Sequence, residues 1–469
     1  MPTLNLNHYP DVLGQLPRLK TYTHILLCFG LEDDEPPSQI IEGLEAAARR
    51  LADAFPWIAC QVVHEGARPG NSGVFRLAPC SEFSSPNSIF RVEDCTSVVP
   101  RYQEILSARG PTTMLDGKIL GPVPAFPHVY SDSELNPAPV LTIQANIVRG
   151  GLLLDVAAQH NFIDGGGLLR LIEYLARALR NEPFTPEELE HGNRDRTNLV
   201  KLLGPDEPML DHSHLIREPL PPSHQTKPES HQAEWHFVRF PASTVAHLKQ
   251  LANSSFSSPP ESESESGQFV STNDAISAYI WKSVSSVRRL RRRNDSPDVE
   301  GEQLSKFSRA LDARRALGVP REYLGQMGFN ATCHLTFSHL ESMSLGEVAL
   351  HMRRAVEKAN SEYAVRSWAT LVAREEDKSR IMFGGQFDPD KDLGMSSLIH
   401  ASVEGTDFGP GLGRPDLVRR PLFQPLGSCV YLWTKTERGE VDVLLCLKEQ
   451  DWEGLARLDG WKDMVEFIG

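Results

Sequence analysis

The sequence predicts a mixed α/β protein of two domains, and three observations carry that reading. The chain has 469 residues, more than a single hydrophobic core usually spans. Segments patterned as β-strands alternate with segments whose apolar residues recur at helical spacing. Between the two halves, residues 183–230 lose periodicity and fill with proline and charge, as a crossover does. We therefore expect an N-terminal domain over 1–182, a crossover over 183–230 and a C-terminal domain over 231–469.

The elements follow in order. Thr21 to Phe29 reads as a strand and leads into the acidic turn Glu32-Asp33-Asp34-Glu35-Pro36-Pro37. Ser38 then caps a helix with Ile40, Ile41, Leu44, Ala48 and Leu51 on one face, ended by Ala54-Phe55-Pro56. Val140 to Val148, the turn Arg149-Gly150-Gly151 and Leu152 to Ala157 read as a hairpin. Leu168, Leu171, Ile172, Leu175 and Leu179 mark the buried stripe of the next helix. Beyond the crossover, Ser254 to Gly267 carries Glu-Ser repeats and reads as a low-complexity, mobile surface loop. Ser271-Thr272-Asn273-Asp274 is a capping signature for a helix through Ala275, Ile276, Ala278, Tyr279 and Trp281. Strands and helices then alternate to a last strand at Val441–Leu447 and an acidic, aromatic closing helix, and no solenoid-length repeat occurs.

The bulk properties remove several function classes. A formal net charge of −14 argues against nucleic acid, whose phosphates such a surface repels. The longest apolar runs are of strand length, too short to span a bilayer. The first residues, Met1 to His8, lack the basic and apolar regions of a secretory signal. Seven cysteines (28, 60, 80, 95, 333, 429 and 446) include no Cys-x-x-Cys pair, which favours reduced thiols over a disulfide framework or a zinc site. Cys28, Cys429 and Cys446 lie in apolar runs and read as buried filler. The expectation is a cytosolic, monomeric enzyme without a metal.

The segment richest in chemistry is Ala158-Gln159-His160-Asn161-Phe162-Ile163-Asp164-Gly165-Gly166-Gly167. A histidine ends an apolar strand, an aspartate follows four residues on, and three glycines open a helix. Histidine titrates near neutrality and so serves as a base there; glycine permits a tight turn and close approach to the backbone. By itself a His-x-x-x-Asp spacing is common, and a core histidine bonded to a carbonyl is its ordinary outcome. We read His160 as the base and Asp164 as a structural brace that fixes the loop. The run Arg288-Arg289-Leu290-Arg291-Arg292-Arg293 reads as a solvated helix end favoured by the macrodipole. His351 and His400 read as surface or packing histidines.

Residues 158–165 resemble the HxxxDG motif of BAHD-type acyl-CoA-dependent acyltransferases. About 240 residues later Asp407-Phe408-Gly409-Pro410-Gly411 is similar to that family's second signature, DFGWG. Ser271 to Lys282, Leu311-Asp312-Ala313-Arg314 and Tyr323-Leu324-Gly325 resemble further family segments. The opening Asp11-Val12-Leu13-Gly14-Gln15-Leu16-Pro17 and the tail from Gln450 look most like the fungal branch that includes trichothecene 3-O-acetyltransferases. The chain departs from the pattern in Pro410, where the plant-type motif has tryptophan, and in Gln326, where many relatives have asparagine.

The resemblance implies two similar chloramphenicol-acetyltransferase-like domains, each a mixed sheet with helices, and a channel between them. It implies an O-acyltransferase with acyl-CoA, most simply acetyl-CoA, as co-substrate and no permanently bound cofactor. The acceptor it implies is a hydroxyl of a fungal secondary metabolite such as a terpenoid. His160 would take the hydroxyl proton and return it to the CoA sulfur. Asp164 would pair with Arg314; Asp407, Gly165, Gly409 and Gly411 would be structural; Ser271, Thr272, Ser396 and Ser397 would lie near CoA. No acyl-enzyme is needed, in keeping with the absence of a Gly-x-Ser-x-Gly elbow. Two other readings stay open: a condensation-domain relative that uses carrier-protein thioesters, which usually shows two adjacent histidines where this chain has Gln159-His160, and a catalytically inactive binding protein of the same fold.

Overall fold

The computed structural model describes residues 5–32, 38–217, 233–254, 269–295 and 303–469. All but Glu32 of the acidic turn expected at 32–37, the end of the crossover (218–230) and all but Ser254 of the low-complexity stretch at 254–267 lie outside these residues.

The first half contributes strands β1 (Tyr22–Gly30), β2 (Gln61–Glu65), β3 (Val74–Ala78), β4 (Phe90–Asp94), β5 (Ala138–Pro139), β6 (Leu141–Val148) and β7 (Gly151–Gln159). The second half contributes β8 (Ala233–Phe240), β9 (Leu304–Asp312), β10 (Gly328–Thr336), β11 (Leu393–Ser397), β12 (Leu417–Arg419), β13 (Cys429–Lys435), β14 (Val441–Lys448) and β15 (Glu466–Phe467). They form a five-stranded sheet of order β12-β1-β7-β6-β4, a seven-stranded sheet of order β10-β9-β11-β13-β14-β8-β15 and a small sheet β3-β2-β5. The large sheets mix parallel and antiparallel pairs: β4 runs parallel to β6, and β11 parallel to both β9 and β13.

The β6–β7 hairpin closes through a two-residue turn, Arg149-Gly150, with Gly150 at φ +77°, a left-handed conformation that glycine adopts without a Cβ penalty. Every residue of β7 is buried: Leu152, Leu154 and Val156 face the helices, while Leu153 packs on the other side against Tyr102, Ile105, Leu120 and Leu417. The helices Ser38–Ala54 and Gly165–Leu179 pack together on the first sheet. In the second half the helix Thr272–Asp295 packs against the helices Ala242–Ser254 and Leu345–Ala359. It extends well past Trp281, and its start is a reciprocal cap: Ser271 Oγ accepts from Asp274 N at 3.2 Å, and Asp274 Oδ2 accepts from Ser271 N at 2.8 Å.

Three expectations about local structure change. The crossover contains a helix, Pro186–Gly192, begun by proline and a capping box between Thr185 and Glu188; short capped helices carry too few apolar positions to show periodicity. The second half also lends a strand to the first sheet, where β12 pairs with β1 at the edge. Third, the arginine run is not a solvated helix end at Arg288. That side chain is fully buried, donates Nε to Asp451 Oδ2 at 3.0 Å and Nη2 to Ser428 Oγ at 2.6 Å, and Arg291 pairs with the same Asp451. Charge runs reach the core when a buried carboxylate waits there.

All seven cysteines are free, and Cys28, Cys429 and Cys446 are buried. Among the described residues no helix is long and apolar enough to cross a membrane.

Candidate active site

His160 follows the last residue of β7. Its backbone N–H donates to Thr21 O at 2.8 Å, just before β1, so the turn hangs from the centre of the first sheet. The next residues are fixed one by one. Asn161 N donates to Gln159 Oε1 at 2.8 Å, and Asn161 Nδ2 reaches Leu16 O at 3.1 Å. Gly14 approaches so closely that a Cβ there would stand 2.0 Å from Asn161 O. Arg196, from the crossover, donates to Phe162 O at 2.9 Å and lies 4.3 Å over the Trp57 ring. The opening segment 11–17 and the crossover therefore both buttress the motif turn.

Asp164 is the N-cap of the helix Gly165–Leu179, accepting from Gly167 N at 2.8 Å. The same carboxylate takes Arg314 Nη1 at 2.8 Å, Arg314 Nη2 at 2.9 Å and Met327 N at 2.8 Å. Arg314 also donates to Asp312 Oδ1, Tyr323 O and Gly325 O. Burial pushes the Asp164 carboxyl up, but the Arg314 charge and this set of donors outweigh it and hold the group below its ordinary value. A two-oxygen, two-nitrogen ion pair with every remaining donor occupied is the geometry in which burying charge is least costly. It joins the first half to the β9–β10 region of the second. Gln326, beside this pair, is fully buried and its Oε1 accepts from Gly328 N at 3.1 Å.

The glycines serve the second of the two purposes expected, close approach, and not the first. None of Gly165, Gly166 and Gly167 has positive φ; they are helical. Space is what they provide: a Cβ on Gly167 would stand 2.2 Å from Leu324 O, and one on Gly166 would stand 3.2 Å from Arg314 Nη1. Gly165 faces the cavity instead.

That cavity, of about 510 Å³, lies between the halves and is bordered by His160, Leu168, Ser396, Tyr431 and Trp433 among others. His160 Nδ1 is buried without a hydrogen-bond partner among the described residues, which leaves Nε2 as the nitrogen toward the cavity. Burial depresses the imidazole, while its own backbone carbonyl and the Asp164 charge pull it partly back up, for a net lowering. A second cavity of about 760 Å³ shares Asn330 with the first and is bordered by Arg354, Lys358, His334 and His351. An imidazole whose protonation is disfavoured thus borders an apolar chamber, and a separate, more basic cavity shares one wall residue with it.

The other singled-out residues separate. Ser396 borders the first cavity. Ser397 Oγ instead accepts from Asn273 Nδ2 at 3.0 Å, and Ser271 and Thr272 sit at the helix start, where Ser271 is engaged by Asp274. Asp407, Gly409 and Gly411 lie away from the cavity, in a loop at the far end of the helix that Asp164 begins. Arg180, the C-cap of that helix, donates to Asp407 O, and Asp407 Oδ1 accepts from Gly409 N at 2.8 Å. Phe408 is buried edge-on against Phe29, with centroids 5.1 Å apart, and Gly411 lies beside Ile40. Sequence reasoning missed the Arg196 stack and a buried His24–Asp155 pair in the cavity wall.

Two mixed sheets that sandwich a histidine-bearing cavity define an acyltransferase of the BAHD type. Residues 124–457 match the model of the Transferase family, and residues 21–179 match that of the Trichothecene 3-O-acetyltransferase-like N-terminal domain. The chain belongs to the Transferase family, in its trichothecene 3-O-acetyltransferase-like branch. It is 46% identical to the O-acyltransferase pigD of Monascus ruber, over 98% of each chain. It is 44% identical to the O-acetyltransferase azaD of Aspergillus niger, over 99% of this chain and 98% of the other. Among solved structures, TRI101 of Fusarium sporotrichioides complexed with coenzyme A and T-2 superposes with a TM-score of 0.85 at 31% identity, over 98% of this chain and 99% of that one. Vinorine synthase, at 13% identity and a TM-score of 0.61, shares the fold.

Proposed function

We propose that the chain transfers an acyl group, acetyl in the simplest case, from acyl-CoA to a hydroxyl of a fungal secondary metabolite such as a terpenoid. The observation that carries this reading is the placement of His160: an imidazole with an uncharged bias, its Nε2 toward an apolar chamber large enough for a small molecule. The relatives named O-acyltransferase and O-acetyltransferase, and the coenzyme A complex of TRI101, support the same reaction class.

In this mechanism the acceptor O–H gives its proton to His160 Nε2 as its oxygen bonds to the thioester carbonyl carbon. The tetrahedral oxyanion collapses, the C–S bond breaks, and the proton passes from Nε2 to the CoA sulfur. Ester and free CoA are the products, and no covalent enzyme intermediate forms. A positioned base contributes about 10²–10⁴-fold, and holding both substrates in one cavity adds to it through effective molarity. Asp164 and Arg314 keep the base in place without touching the reacting atoms. The basic second cavity, with Arg354 and Lys358, suits the phosphates of CoA, and Ser396 borders the same chamber as the base. Gln159 occupies the place where a carrier-protein condensation enzyme would carry a second histidine, and it is spent on holding Asn161.

The test is release of free CoA thiol from acetyl-CoA with a panel of hydroxylated polyketides and terpenoids as acceptors. Ester formation from free acetyl-CoA is the expected result. Turnover only with a carrier-protein thioester, or tight metabolite binding with no CoA release, would overturn it.

A further inference from the structure

The motif turn is gripped at two points by two arginines. Arg314 takes the Asp164 carboxylate, and Arg196 takes the Phe162 carbonyl, midway in sequence between that aspartate and His160. Arg196 belongs to the crossover, where its own backbone N–H donates to His8 O at 2.7 Å. Its side chain is buried, which is costly for a guanidinium unless it is closely paired. Yet its ion pair is loose: Asp11 Oδ2 stands 3.9 Å from Arg196 Nη1. Nε and Nη2 have no hydrogen-bond partner among the described residues.

Three rings surround the cation instead. Its guanidinium carbon lies 4.3 Å from the Trp57 centroid and 5.4 Å from those of Tyr9 and Tyr323. Tyr9 comes from the opening segment, Trp57 from just before β2, and Tyr323 from the β9–β10 connection. Such contacts are strongest when desolvated. The close polar contact of this costly group is therefore with a neutral backbone carbonyl, which a charged donor holds more firmly than a neutral one. The peptide joining Phe162 to Ile163 is thus fixed on both edges. Its oxygen receives Arg196 Nη1 at 2.9 Å, and its N–H donates to Gln159 O at 3.1 Å.

From this geometry we propose that Arg196 is a positioning residue for the transfer step: it fixes the peptide between His160 and Asp164 and so aims the imidazole into the cavity. The inference rests on His160 as the base. Arg196 lies outside the cavity wall, so it acts through the turn. Asp11 limits what its removal does to folding. Burial pushes the Asp11 carboxyl up to about 7 against the pull of Arg196; with the guanidinium gone, the acid takes up a proton rather than staying buried and charged.

The test sets Arg196→Met beside Arg196→Lys in the full-length protein, with rates taken per folded molecule. Two readouts are followed: CoA release from acetyl-CoA, and the NMR titration of the His160 ring, whose signal is the one lost in His160→Ala. Arg196→Met should lower kcat at least about tenfold with the KM for acetyl-CoA within about twofold. Its His160 midpoint should rise toward the ordinary 6.5, because a loosened turn gives up the burial that depresses it. Arg196→Lys keeps a cation in the cage and a donor for the carbonyl, and should lie closer to the wild type than to the methionine variant on both readouts. If Arg196→Met does not fold, the Asp11→Asn/Arg196→Met double variant takes its place. A wild-type kcat with an unmoved His160 titration, or a lysine variant no better than methionine, overturns the proposal. So does a double variant that cannot fold, since Arg196 then serves folding and not aim. Full turnover in His160→Ala would instead sink the base reading, and the His160 titration in the Arg196 variants would still report on the turn.

Discussion

The two signature loops sit at the two ends of one helix, Gly165–Leu179, whose fifteen residues span about 22 Å. At its start Asp164 is buried and takes four hydrogen bonds, two of them from Arg314. At its end Asp407 is exposed, and its side chain accepts from Gly409 N while its carbonyl receives Arg180. The first aspartate locks the two halves around the base. The second shapes a turn, with Gly409 at φ +92°, and seats Phe408 in the core. Equal prominence in the sequence therefore hides unequal energies: a buried ion pair is costly to break, whereas an exposed turn loses little more than one hydrogen bond.

The largest effect is expected at the base. His160→Ala should lower kcat by about 10²–10⁴-fold with the melting temperature nearly unchanged, read by CoA release and calorimetry; near wild-type turnover would remove His160 from the chemistry. Next comes the lock. Arg314→Ala leaves the Asp164 carboxylate buried and unpaired, a loss of about 3–5 kcal/mol that a urea titration would measure; a loss below 1 kcal/mol, about what a surface pair contributes, would mean that the pair does not tie the halves together.

Acid sharpens the contrast. Burial lowers the His160 value below its ordinary 6.5, so the imidazole is the free base at pH 7. Its protonation is resisted more by the folded state than by the unfolded chain. The stability this group contributes is therefore full above about 6.5 and is lost as the pH falls through the lowered value. The rate should follow the same course, flat near neutrality and falling only on acidification below 6.5. A kcat profile that still rises between pH 7 and 8 would contradict it.

How much of this was legible in the chain depended on distance along it. The β6–β7 hairpin, the helix Gly165–Leu179 and the cap at Ser271–Asp274 rest on neighbours within a few residues, and period and turn chemistry display them directly. His24 and Asp155 are 131 residues apart, Arg288 and Asp451 are 163 apart, and β12 reaches β1 across most of the chain. No local pattern joins such partners. A signal existed in two places: Asp155 interrupts the otherwise apolar run Leu152–Ala158, and a carboxylate in a doubly covered strand needs a partner. Arg288 likewise falls seven residues, two helical turns, after Trp281 and so shares its buried face. The glycines of the motif were legible only in part, because sequence shows that a Cβ is missing but not whether torsion or space requires its absence.

The smallest effect tests the far end of the helix. Asp407→Ala removes the acceptor for Gly409 N, an exposed bond whose loss costs about 0.5–1.5 kcal/mol, while the Arg180 bond to the backbone carbonyl at 407 is kept. Denaturant midpoints should shift slightly, and kcat and the KM for acetyl-CoA should stay within about twofold, because the loop reaches the base only through the length of a rigid helix. A large drop in kcat with stability preserved would show that displacement at Arg180 is transmitted to Asp164. Both loops would then belong to one positioning device, and the contrast between lock and turn would be one of exposure alone.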